Sequence, residues 1–364
     1  MNSRILTTLC LLLSSAMSAV AGVPGPAPLH VLPPVTHGNL TIFPVVGGPD
    51  HDTSRFLTLD EGVQAGTVVV TERGSLQGLI RPGTPVHQQS GAEVNRLVLI
   101  NNSDRPLLLL AGEIVTGGKQ DRVIGADRLV PPKSEPIDLS VFCVEPGRWV
   151  ASSEHFGSLK LQMAQPSVRT PAMAAHNQQE VWDMVGSAKR ALATASPAPL
   201  AGQLEGTTSY AKAMASPQVQ ERLDLVASDY ESILRELRKS DAKGVVVAIN
   251  GNIVWADLFA SSDLLAKYWQ KLIRSYAAES LTSVNAKGMV DQKTAQEFLD
   301  RLSGNREVIE TEPGVYRRAE VTGHGYKVFT LTALTSKPDF DLHIAKMAYD
   351  VEARQQIRPA ILVR

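Results

Sequence analysis

The sequence predicts an α+β protein: a β-rich N-terminal half, either a sandwich or a small barrel, followed by a mixed half in which helices cover a mostly antiparallel sheet. Three observations predict it. Short aliphatic and β-branched runs recur between residues 38 and 150, separated by Gly, Pro, Asn and Asp clusters. Beyond residue 216, apolar residues recur at helical spacing. Between these helical stretches, "GVVVAINGNIVWADLF" joins two apolar runs through Asn250-Gly251, a pair that supplies the positive φ values of a type I′ hairpin turn.

In chain order, residues 1–21 place Arg4 before an apolar run from Ile5 to Leu13 and end in the small residues Ala19-Val20-Ala21. This is the pattern of a secretory signal peptide cleaved after Ala21, so the mature chain is expected to be exported, to a periplasm or the extracellular space. No later run reaches the roughly 18 apolar residues of a spanning helix, so no transmembrane segment is expected. The prolines of residues 22–37 predict an extended tether. A β-rich unit over 38–185 has strands at Leu40–Val46, Gly66–Glu72, Arg96–Asn102, Pro106–Glu113 and Ile137–Glu145. The Ala/Ser/Pro composition of 186–215 predicts a connector, within which "GTTSYAKAM" is placed to close over a ligand.

The second unit, 216–364, opens with Pro217 after Ser216, a favourable helix start. Val219, Leu223, Val226, Tyr230, Ile233, Leu234 and Leu237 form one apolar stripe. Further helices are expected over Asp263–Glu279 and Asp291–Leu302, and strands at "VYRRAEVT" and "YKVFTLTAL". Trp182, Trp255 and Trp269 are expected in cores, and Asp257 and Tyr276 are weighed as residues lining a cleft between the halves. Whether the two units stand apart or form one domain is left open.

Composition excludes several classes. The net charge of -1 offers no basic excess for nucleic acid. Beyond the leader Cys143 stands alone, so no intramolecular disulfide can form. The eight histidines show no metal-ligand spacing, and nucleophile-elbow, Walker and dinucleotide fingerprints are absent, so neither a metal nor a cofactor is expected.

The chemistry concentrates in "GEIVTGGKQDR" (112–122) and "CVEPGRW" (143–149). Gly117 and Gly118 permit a sharp turn or close approach to a ligand. Lys119, Gln120, Arg122 and Arg148 then offer donors to an anionic or polar ligand, and Trp149 a flat face for a sugar-like ring. Glu113 and Glu145 are candidate bases, and Cys143 a candidate nucleophile if positive charge lowers its pKa. Against these stand blander readings: Glu113 pairs with Arg122 or Arg148 to fix the turn, and Cys143 is a buried core residue.

The stretches "LLLLAGEIVTGGKQDRVIGADRLVPP", "FCVEPGRW" and "AINGNIVWADLFASSDLLAKYWQKLIRSYA" closely resemble the ARG and Rhodanese-Phosphatase-superfamily-associated protein domain, from about Gly38 onward. The resemblance implies a connection to ADP-ribose or phosphorylated ligands and supplies no mechanism. The leading expectation is an exported protein that binds a small anionic or sugar-like ligand. The alternatives are a hydrolase of a glycosyl or phosphorylated substrate with a glutamate base, and a cell-envelope interaction module.

Overall fold

The computed structural model describes residues 28–72, 95–148, 152–153, 155–229, 235, 237–283 and 288–349. Residues 1–21, read as a signal peptide, Trp149 and, from the expected apolar stripe, Tyr230, Ile233 and Leu234 lie outside these residues. The fold is α+β as expected, and of the two β architectures left open it contains a barrel.

Six antiparallel strands close the barrel in the order β11 (Ile137–Cys143), β6 (Arg96–Asn101), β5 (Val68–Thr71), β12 (His155–Met163), β8 (Glu113–Thr116) and β9 (Arg122–Ile124). Alternate residues of these strands fill the interior, among them Val70, Leu99, Val115, Ile124, Leu139, Val141 and Phe156. Beside it, β4 (Leu57–Thr58), β7 (Leu107–Leu109) and β10 (Arg128–Val130) form a small sheet.

The second sheet gathers β1 (His30–Val31), β2 (Val35–His37) and β3 (Leu40–Val46) with β13 (Gly244–Ile249), β14 (Asn252–Phe259), β15 (Asn305–Glu312), β16 (Tyr316–Gly323), β17 (Tyr326–Ala333) and β18 (Phe340–Ala348). The central join is β3 against β13, with Leu40 opposite Ile249 and Val45 opposite Gly244. A strand from the expected first unit is thus built into the sheet of the second. The tether also differs from expectation, because two of its segments pair with β3. Asn250 and Gly251 take φ of 54° and 77°, the hairpin turn read from the sequence.

Helix α1 (Leu59–Gln64) is closed at its start by a Thr58–Glu61 capping box. The expected connector is instead mostly helical: α3 (Gln178–Thr194), α4 (Ala198–Gly206) and α5 (Tyr210–Met214) follow α2 (Pro166–Thr170) and a π turn at Pro171–Ala175. Asn177 caps α3, and Val181, Val185, Ala188 and Leu192 bury one face of it. The small residues that suggested a linker let this helix pack closely. Helices α6 (Pro217–Asp229), α7 (Ser262–Thr282) and α8 (Gln292–Asp300) lie where the apolar stripes put them. Helix α7 buries Leu264, Leu265, Tyr268, Trp269, Leu272 and Tyr276, and it packs against both β12 of the barrel and the large sheet. One core cluster accordingly runs from Ile114 and Val123 to Leu331 and Met347.

Candidate functional site

The two glycines are required by crowding. Gly117 and Gly118, with φ of 132° and 48°, carry the chain from β8 to β9 across one end of the barrel. A Cβ on Gly118 would sit 2.3 Å from Phe156 Cζ and 2.9 Å from Glu72 Oε1, and one on Gly117 would sit 2.4 Å from Ser153 Oγ. The turn is pressed against its surroundings on both faces.

Polar contacts hold it there. Asp121 Oδ1 accepts from Gly117 N at 3.2 Å, and its Oδ2 accepts from Ser209 Oγ at 2.7 Å. Glu145 Oε2 accepts from Asp121 N at 3.1 Å and pairs with Arg148 Nη2 at 2.5 Å. Arg148 also donates to Gly118 O at 2.9 Å. Lys119, half-buried, is tied by its main-chain N–H to Glu72 Oε1 at 3.1 Å. Burial pushes the Asp121 carboxyl up, with the neighbouring Glu145 adding to the rise. Burial also raises Glu145, but hydrogen bonds from Arg148 and Asp121 N outweigh it and hold that carboxyl below the usual range.

On the barrel side of the turn lies Arg122. The β9–β11 register sets Arg122 opposite Cys143 and Ile124 opposite Val141, so Arg122 shares the interior face of the barrel with Ile124 and Val141. It is fully buried. Its Nη1 donates weakly to Asp121 O at 3.5 Å, while Nε and Nη2 have no hydrogen-bond partner. Burial pulls the guanidinium below its usual value, and Cys143 and Glu72 oppose that pull. Gln120 donates to Glu145 O at 3.1 Å and leaves its Oε1 unpartnered, as Glu72 leaves its Oε2. Both are nearly buried.

Two expectations change. Glu113 pairs with neither Arg122 nor Arg148. It is fully buried beneath α7, where Lys271 Nζ reaches its Oε1 at 2.5 Å and Leu110 N donates to its Oε2 at 2.9 Å. Cys143 is fully buried, its Sγ accepting from Glu145 N at 3.4 Å, and burial pushes its thiol up, the opposite of what a nucleophile needs.

Outside the turn, a cleft of about 390 Å³ is lined by Thr116, Gly117, Asp121, Arg148, Ser152, Ser153 and, from α5 and its C-terminal cap, Ala211, exposed Lys212 and Ala215. The stretch "GTTSYAKAM" contributes Ala211 and Lys212 to the wall of this cleft. Ser209 caps α5 while donating to Asp121, and Tyr210 N donates to Val144 O at 3.0 Å.

Asp127, Arg169 and His343, which no sequence motif marks, form a buried charge network with Asp257 and Tyr276. Arg169 Nη1 and Nη2 donate to the two oxygens of Asp257 at 3.1 and 3.2 Å. Tyr276 Oη donates to Asp257 Oδ2 at 2.5 Å. His343 lies between Asp127, at 2.6 Å from Nδ1, and Asp257, at 3.2 Å from Nε2. The expectation that Asp257 and Tyr276 line a cleft gives way to this packing: both are fully buried. Their spacing in sequence carries no signal, since the network joins strands and helices that meet only in the fold. Among the described residues, no group of three or more His, Cys, Asp or Glu side chains is arranged to hold a metal ion.

No curated protein and no solved structure matches the chain. The model of one family does match, over residues 28–343, a span that takes in the barrel, the glycine turn, the cleft and nearly all of the large sheet. The chain therefore belongs to the ARG and Rhodanese-Phosphatase-superfamily-associated Protein domain family.

Proposed function

We propose that this is an exported small-molecule-binding protein, and that a polar or anionic ligand docks in the cleft beside the Gly117–Lys119 turn. The observation that carries the reading is the cleft itself. Its volume of about 390 Å³ falls within the roughly 300–1,000 Å³ of small-ligand pockets. Lys212, Arg148, Ser152, Ser153 and Asp121 all line it. Arg148 is held by Glu145, so Lys212 is the cation of the cleft best placed to meet a ligand's charge. ADP-ribose and sugar phosphates are the first probes to use, on the strength of the resemblance.

The test is thermal shift of the mature protein against these probes, with Lys212→Ala in parallel. A ligand that binds the native state raises the melting temperature by mass action. The expected result is a shift in the native protein that shrinks in Lys212→Ala; equal shifts in both would remove the ligand from this cleft, and no shift would favour the interaction-module alternative. Export rests on residues 1–21, and N-terminal sequencing of the secreted chain should begin at Gly22.

One observation favours hydrolysis as a second reading. Asp121 and Glu145 are joined through the Asp121 N–H, and their environments drive the two carboxyls in opposite directions. Neighbouring carboxyls whose environments push their pKa values apart are the arrangement general acid–base catalysis uses. In this reading Asp121, not Glu113, is the partner of Glu145. Turnover of a glycosyl or phosphate ester that survives Asp121→Asn would exclude it.

A further inference from the structure

The turn has two sides, and the inner one carries a separate set of unsatisfied groups. Several arginines here leave Nε without a partner, but among the described residues Arg122 is the one that leaves both Nε and Nη2 buried and unpartnered. Those two atoms lie along one edge of the guanidinium, the edge that grips two oxygens of an oxyanion at once. No carboxylate among the described residues bonds to that edge, although Glu72 and Asp121 are near enough to favour the charged guanidinium, and buried donors left without an acceptor are costly. Two acceptors in the same neighbourhood are also unused: Glu72 Oε2 and Gln120 Oε1. Glu72 reaches the turn through Lys119 N, Gln120 lies two residues before Arg122, and all three side chains are at least nine-tenths buried.

We propose that this end of the barrel is a binding chamber for a small hydroxylated carboxylate, such as a sugar acid, distinct from the cleft on the outer side of the turn. The carboxylate takes the free Nε–Nη2 edge of Arg122, and hydroxyl groups of the ligand donate to Glu72 Oε2 and Gln120 Oε1. The Glu72 carboxylate already offsets part of the Arg122 charge, so a singly charged carboxylate is preferred over a doubly charged phosphate ester. Phe156, which lines the barrel core beneath Gly118, supplies an apolar wall for the carbon chain.

The experiment is calorimetric titration of the mature protein with gluconate, glycerate, acetate, inorganic phosphate and glycerol phosphate, repeated on Arg122→Lys and Glu72→Gln. Circular dichroism first establishes that both variants fold. Gluconate or glycerate should bind the native protein, acetate more weakly for lack of hydroxyls, and the phosphates more weakly still. Arg122→Lys keeps the charge and loses the two-pronged edge, so its affinity should fall about tenfold or more. Glu72→Gln should narrow the preference for carboxylate over phosphate. Tighter binding of glycerol phosphate than of glycerate would overturn the ligand class. Absence of binding by every anion, or equal affinity in Arg122→Lys, would overturn the chamber. Loss of binding in Lys212→Ala with Arg122→Lys unaffected would assign the ligand to the cleft instead.

Discussion

Arg122 and Arg169 are both fully buried, and they are buried in opposite ways. Arg169 gives both terminal nitrogens to Asp257 and lies over the Trp255 ring, 4.3 Å from its centroid. Its stem packs against Gly112, where a Cβ would come within 2.7 Å of it. Arg122 meets no carboxylate among the described residues and keeps one edge free. A buried guanidinium whose two terminal nitrogens are taken by one carboxylate holds a fold together, whereas one that leaves its Nε–Nη2 edge unmatched costs stability, which is the observation behind the ligand proposed for it.

If Arg169 is architectural, removing its counter-charge should produce the largest effect. Asp257→Asn leaves Arg169 and His343 without a shared anion, and the unfolding free energy in urea should fall by about 3–5 kcal/mol. A loss under about 1 kcal/mol would mean that the network is not what joins barrel and sheet.

The same network predicts a pH dependence. Burial alone would lower the His343 pKa, but Asp127 and Asp257 more than offset it and raise it from 6.5 to about 9. Because the folded value lies above the unfolded one, the stabilisation is fully present below about pH 6.5 and disappears as the pH rises through about 9. The unfolding free energy in urea should therefore decline across that window, with a slope of at most about 1.4 kcal/mol per pH step of one, and the decline should flatten in His343→Gln.

The turn should respond more mildly. Gly118→Ala forces a Cβ to within 2.3 Å of Phe156 Cζ at φ of 48°, and it should cost about 1–3 kcal/mol and disturb the barrel end. Lys212→Ala, at an exposed position, should leave the melting temperature of the ligand-free protein unchanged and alter only its response to ligands of the cleft.

What the sequence made legible was local. The Asn250-Gly251 turn, the apolar face of α7 and the strand at Leu40–Val46 are all set by neighbours within a few residues. Barrel closure and the β3–β13 join depend on partners distant in sequence, so neither a closed barrel nor a shared sheet could be chosen from strand patterns alone. Helix α3 was hidden by its alanines and serines, which read as linker until its caps and buried stripe are seen together. The glycine turn was legible because two adjacent glycines before a polar run have few other uses. The partners of its charges were not: Glu113 found Lys271 on α7, and Arg148 found Glu145 and Asp121. Asp121, which the sequence did not single out, is central because Ser209 reaches it from the start of α5.

The most direct test of the contrast is to measure the unfolding free energies of ligand-free Arg122→Met and Arg169→Met in one denaturation series. Arg169→Met should lose about 3–5 kcal/mol, while Arg122→Met, which removes a buried guanidinium with two unpartnered nitrogens and keeps most of the volume, should lose less than about 1 kcal/mol. An Arg122→Met variant as destabilised as Arg169→Met would contradict the account, because it would make Arg122 a structural residue and leave the barrel end without its ligand.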